Sequence, residues 1–205
     1  MFDTLKLLFS YDFIVRAMIA GGLVALCCAL LGVSLVLKRF SMIGDGLSHV
    51  GFGALSVAAV MNVAPLAIAV PVVIIAAFFI LKLGKDSKVQ SDSAIALVSS
   101  VAIAIGVTVT SLSGGLNTDV YSYMFGSILA MSKTDVYISA ALSVVVLILF
   151  FVFYHKIFAI TFDSDFAKAT GVKAEFYNML IAVLTALTIV VGMRIMGTML
   201  ISSLI

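Results

Sequence analysis

The chain has 205 residues, 63% of them hydrophobic, with 12 basic and 10 acidic side chains and a mean hydropathy of +1.29. One water-soluble core of this size could not bury that much apolar surface, so lipid is the solvent for most of it. A net charge of +2, dispersed along the chain, gives no basis for a nucleic-acid partner.

A bilayer core about 30 Å thick is crossed by about 20 apolar residues in helical form. The first uncharged run covers 17–37. Asp3, Lys6, Asp12 and Arg16 mix signs ahead of it and no small-residue cleavage site follows, which predicts a retained span rather than a signal peptide. Cys27 and Cys28 are neighbours within it; on a helix they point about 100° apart and read as small packing residues. The run 50–81 is long enough for two short spans, and Asn62 and Pro65 divide it. Pro71 is then expected in the first turns of the third span, and Lys82, Lys85, Asp86, Lys88 and Asp92 in a hydrated loop.

The fourth span lies within 93–118 and is expected to end in a turn at Ser113, Gly114, Gly115 and Asn117. Tyr121–Met131 is about half the length needed to cross a bilayer, which predicts a short re-entrant helix. Runs at 136–154 and 176–193 supply the fifth and sixth spans. All are apolar on every face, which suits helices and lacks the alternation of a membrane β-barrel. The expected fold is an all-α polytopic bundle of about six transmembrane helices plus the re-entrant one, with residues 1–205 forming a single transmembrane domain. This arrangement puts Lys38, Arg39, Lys82, Lys85, Lys88, Lys156, Lys168 and Lys173 on one face and only Lys6, Arg16 and Lys133 on the other. That bias predicts a cytoplasmic first face and an external N-terminus.

Chemistry concentrates in Ser41-Met-Ile-Gly-Asp-Gly-Leu-Ser-His-Val50. Asp45 and His49 are four apart, so a helix sets carboxylate and imidazole on one face, close enough to share an ion. A carboxylate with a neutral imidazole suits Zn²⁺, Mn²⁺ or Fe²⁺, and ionisable groups in lipid usually face a polar path. The same spacing also suits a structural alternative in which Asp45 caps the second helix and His49 hydrogen-bonds it. Gly44, Gly46, Gly51 and Gly53 flank the pair and allow close helix packing around a site. Further on, Asp163 and Asp165 are placed to cap a short helix and Gly171 to end it, with Phe166, Ala167 and Val172 offering an apolar face.

Three stretches resemble the zinc/manganese/iron permease family of bacterial ABC importers. They are Leu37-Lys-Arg-Phe-Ser-Met-Ile-Gly-Asp-Gly-Leu-Ser-His-Val-Gly-Phe-Gly-Ala54, Tyr123-Met-Phe-Gly-Ser-Ile-Leu129 and Phe162-Asp-Ser-Asp-Phe-Ala-Lys-Ala-Thr-Gly-Val172. They stand in the family's order and spread over most of the chain. The resemblance implies the type II ABC importer permease fold in a bacterial plasma membrane, and a metal path lined by Asp45 and His49. It also implies a cytoplasmic coupling loop over 162–172, with Asp163, Phe166, Ala167 and Gly171, that meets a separate ATPase subunit. Further implied are an extracytoplasmic metal-binding protein, a homodimer, lipid as the surrounding partner and no permanently bound cofactor. The transported ion would be divalent, Zn²⁺ favoured with Mn²⁺ or Fe²⁺ open. Members of that family continue through further membrane segments beyond Gly197-Thr-Met-Leu-Ile-Ser-Ser-Leu-Ile205, so the resemblance implies a permease incomplete at its C-terminal end.

No Gly-x-x-x-x-Gly-Lys-Ser/Thr run occurs, so ATP hydrolysis is expected elsewhere and the chain is not expected to be an enzyme. An ATP-independent channel or proton-coupled carrier would use Asp45 and His49 equally well. An intramembrane aspartyl protease would pair Asp12 with Asp45, yet Met42 stands where the Gly-x-Gly-Asp pattern needs glycine. His155 is expected at a membrane boundary, Arg194 at a cavity, an acidic partner or an interface, and the ten methionines in packing.

Overall fold

The computed structural model describes residues 11–86, 91–113, 124–126 and 133–205. Its elements are α1 (Asp12–Leu37), α2 (Ile43–Val60), α3 (Pro65–Asp86), α4 (Ser91–Leu112), α5 (Lys133–Val152), α6 (Tyr154–Phe162), α7 (Ser164–Ala169), α8 (Ala174–Met196) and α9 (Thr198–Leu204). No strand occurs among the described residues. Helices α1, α2, α3, α4 and α8 are each long and apolar enough to cross a membrane. α5 and α6, bent by 69° at Phe153, are long and apolar enough only when taken together, which gives six spans if the pair is counted as one.

The helix limits follow local chemistry, with some departures from the sequence reading. Asn62 takes a left-handed φ of 51° between α2 and α3, and Pro65 opens α3, where its missing N–H costs nothing. Pro71, expected in the first turns, lies inside α3 at its seventh residue, so the carbonyl of Ala67 loses its helical donor. The charges expected in a loop are largely helical: α3 runs on through Lys82, Lys85 and Asp86, and Asp92 stands in the first turn of α4, where the helix dipole favours a carboxylate. Lys88, the turn at Gly114, Gly115 and Asn117, and most of Tyr121–Met131 lie outside the described residues.

Two helices form the centre. Of the membrane-crossing stretches of α2 and α8, 72% and 67% are buried, against 22% in α3 and 17% in α4. Val33, Ile75, Leu97 and Ile148 are more than half exposed and give the outer helices their lipid-facing surface. α2 packs against α4, α3 and α9, and α8 against α3, α1 and α5. Buried hydroxyls in α8 are satisfied within the helix, Thr185 donating to Ile181 and Thr188 to Leu184, both at 2.8 Å.

Where α8 gives way to α9, Gly197 (φ 84°) lies backbone to backbone against Gly126 (φ 74°). A Cβ on Gly126 would stand 2.7 Å from the Met196 carbonyl oxygen. Glycine is needed at both positions, by conformation and by space.

At the opposite end of the bundle, a cavity of about 330 Å³ gathers the α1–α2 turn (Lys38, Phe40), the end of α6, Ser164 of α7 and Asn178 of α8. Lys38 Nζ donates to Asn178 Oδ1 there, tying together residues 140 apart in sequence. The basic residues Lys38, Arg39, Lys82, Lys168 and Lys173 all belong to chain segments meeting at this end.

Candidate functional site

The turn between α1 and α2 carries Arg39 in the left-handed region (φ 61°), and the Phe40 N–H closes onto Leu35 O at 3.0 Å. α2 starts at Ile43, with Met42 as its N-cap and no side-chain cap bond. Asp45 is therefore the third helical residue, and its carboxylate does not cap the helix. It faces His49 instead, Oδ1 to Nε2 at 3.4 Å, too long for a good hydrogen bond. Ser48 donates to the Asp45 backbone carbonyl at 2.7 Å.

From Ile43 to Ser56, Asp45 and His49 are the only residues that are not buried. Their side chains are 42% and 30% exposed, so within that otherwise buried stretch they form the one polar opening. A dication bound at about 2.1 Å to each donor would hold them about 3.0 Å apart at a right angle and about 3.4 Å apart at a tetrahedral one. Among the described residues no group of three or more His, Cys, Asp and Glu is placed to hold a metal ion.

The four glycines beside the pair each meet a neighbour. A Cβ on Gly44 would stand 2.9 Å from Ile205 Cβ, and one on Gly53 2.7 Å from the carbonyl oxygen of Ala102 in α4. One on Gly46 would run into the Ile95 side chain and one on Gly51 into Met193. α2 is thus locked to α4 on one side and α8 on the other, which fixes the direction in which Asp45 and His49 emerge.

α7 is defined at both ends. Asp163 is its N-cap, Oδ1 accepting from the N–H of Asp165 at 3.0 Å and of Phe166 at 2.9 Å, while Asp165 pairs with Lys168 at 3.1 Å. Gly171 (φ 84°) closes it: its N–H donates to Lys168 O and that of Val172 to Ala167 O, a Schellman motif. The apolar residues do not share the one face expected of them. Ala167 is fully buried against Ile160 and Ala174, and Phe166 points away, 66% exposed. Two consecutive helical residues point about 100° apart, so one anchors the helix and the other is offered outward.

The remaining expectations fall elsewhere. His155 is exposed beside Tyr154, far along the chain from the pair. Arg194 is half-buried in the last turn of α8. Cys27 donates to the Ser143 carbonyl and Cys28 is buried, both in the core. Asp12 is bound to Arg16 at 2.8 Å in the first turn of α1, about 39 Å of helix from the turn that leads to Asp45. The two carboxylates of the protease reading cannot meet. One polar residue escaped the sequence reading altogether: Ser56 on α2, 1% exposed, whose hydroxyl has no partner among the described residues.

Residues 10–205 match the ABC 3 transport family. The manganese transport system membrane protein MntC of Halalkalibacterium halodurans is 28% identical over 198 residues, which is 97% of this chain and 68% of the relative. A probable metal transport system membrane protein of Treponema pallidum is 33% identical, over 95% of this chain and 73% of the relative. A probable iron transport system membrane protein of Haemophilus influenzae is 31% identical, over 100% and 72%. Among solved structures, PsaBC from Streptococcus pneumoniae in complex with Fab superposes with a TM-score of 0.84 at 28% identity, covering 98% of this chain and 73% of that one.

Proposed function

Because the chain belongs to the ABC 3 transport family, we propose that it is the membrane-spanning permease of an ATP-driven importer for a divalent transition metal, with Asp45 and His49 lining the ion's path. The supporting observation is the single polar opening in α2: two donors of different kind, 3.4 Å apart, where every other residue from Ile43 to Ser56 is buried.

A passing dication sheds part of its hydration shell, and the Asp45 carboxylate and His49 imidazole replace two of the lost waters. Two ligands hold the ion briefly and release it, as transport requires. The resulting preference is for the first-row divalent ions as a class. Zinc, favoured in the sequence reading, has no support in the relatives' names, which specify manganese and iron; on this donor set the three are open alternatives.

The basic end of the bundle is assigned to the cytoplasm, which puts the N-terminus outside and the protein in a bacterial plasma membrane. There α7, capped by Asp163, closed by Gly171, seated through Ala167 and presenting Phe166, is a rigid knob for a cytoplasmic ATPase subunit. An extracytoplasmic metal-binding protein delivers the ion, and two copies of the permease frame the path. ATP is hydrolysed by the partner, so the chain itself is not an enzyme.

The test is metal accumulation in cells expressing Asp45→Ala or His49→Ala. Both variants are expected to lose accumulation while protein level and ATPase capture stay normal. Wild-type uptake by both would overturn the path. Uptake that persists when the ATPase partner cannot hydrolyse ATP would favour the carrier reading instead.

A further inference from the structure

Ser56 shares a line with the metal pair. Successive helical residues turn by about 100°, so from Asp45 the directions of His49 and Ser56 differ by about 40° and 20°, and Ser56 lies about 10 Å beyond His49 along the axis. Only these three polar side chains mark that stripe; Ser48, the other polar residue of the stretch, is on a different face.

Ser56 differs from four of the other buried hydroxyls, and its oxygen is fully buried without a partner among the described residues. Ser48, Thr110, Thr185 and Thr188 each donate to a carbonyl three or four residues back in their own helix, at 2.7–2.8 Å. That is the usual way to satisfy a hydroxyl in lipid. Ser56, 1% exposed, makes no such bond and has no other partner among the described residues. A buried hydroxyl without a partner is costly, and alanine would pack the same space without that cost. The neighbouring contact is tight and glycine-lined: Gly53 lies against Ala102, and Gly106 against Gly53 and the ring of Phe52, which stands on the same stripe between His49 and Ser56, so an ion passing along it requires that ring to move.

We propose that Ser56 is a further station on the ion's path, its hydroxyl oxygen taking the place of one hydration water, or binding a water still carried by the ion, about two turns outward of His49. The inference rests on the transport reading and extends it. A hydroxyl oxygen is a neutral, weak ligand, suited to a cation that keeps most of its water until it reaches the charged pair.

The experiment uses the permease assembled with its ATPase in proteoliposomes, with Mn²⁺ and Zn²⁺ as probes. Ser56→Ala is expected to raise the metal concentration for half-maximal uptake by roughly three- to tenfold, the worth of one hydrogen-bond-strength contact, with the thermal stability of the complex unchanged or higher. Ser56→Cys is expected to react with a small cationic thiol reagent, more slowly when Mn²⁺ is present, and to shift preference toward Zn²⁺ and Cd²⁺, which favour sulfur. Wild type, with Cys27 and Cys28 in place, gives the background.

Wild-type concentration dependence in Ser56→Ala, or no metal protection of Ser56→Cys, overturns the station. Asp45→Ala and His49→Ala run alongside. If they import normally, the whole path is wrong; if they lose import while both Ser56 variants match wild type, only this extension falls.

Discussion

Replacing Gly53 with alanine isolates the helix contact on which the site depends. The new Cβ would stand 2.7 Å from the Ala102 carbonyl oxygen, against the 3.4 Å at which ordinary contact begins, so one backbone must withdraw by about 0.7 Å. No flexible side-chain end is available to absorb the shift, because the obstacle is the backbone of α4. Overpacking of this kind costs about 1–3 kcal/mol, and alanine's better helix propensity returns about 0.5–1. The net expectation is a loss of about 1–2 kcal/mol, or a fall of several degrees in the melting temperature of the detergent-solubilised permease. Gly22→Ala is the control: nothing lies within 4 Å of a Cβ there, so the same substitution should be neutral or stabilising by up to about 1 kcal/mol. Metal uptake should fall in the first variant and not the second, since withdrawal of α2 moves Asp45 and His49. Equal melting temperatures for the two would refute the claim that backbone contact between α2 and α4 sets the position of the pair.

Gly171→Pro replaces a residue at φ 84° with one fixed near −65° and removes the N–H that bonds Lys168 O, so α7 loses its C-terminal closure. ATP hydrolysis by the assembled complex should continue while metal import per ATP drops, measured by paired phosphate-release and uptake assays; an unchanged ratio would count against the coupling role. Phe166→Ser removes an exposed ring without touching the buried anchor Ala167. Melting temperature should therefore hold while ATPase capture weakens on the order of tenfold, the scale of a truncated interface anchor; capture at wild-type strength would show that α7 meets the ATPase by other residues. Gly197→Ala puts a side chain into the Gly126 backbone at a positive φ, and the melt should drop by several degrees; full stability would contradict the close contact at the α8–α9 break.

Much was legible in the sequence because it is set by short-range chemistry. Uncharged runs of span length report the solvent directly, whatever the neighbours do. Asn62 with Pro65, the four-residue spacing of Asp45 and His49, and the cap and closing glycine of α7 are fixed by backbone geometry over a few residues. The resemblance of three motifs to an ABC permease family rested on the same local words.

What only the tertiary structure decided is which side of each helix is covered. The sequence left Asp45 free to be a cap. The turn through Arg39 started α2 three residues earlier than a capping Asp45 would allow, and so turned its carboxylate to His49. Phe166 and Ala167 look alike as apolar neighbours, and only the packing of Ile160 and Ala174 separates anchor from exposed ring. Ser56 is one serine among many until packing buries it and its own helix leaves the hydroxyl unbonded. In lipid, apolar composition says that a helix crosses but nothing about which face meets protein. That choice is made by close contacts between segments far apart in sequence, at glycines whose partners no local pattern names.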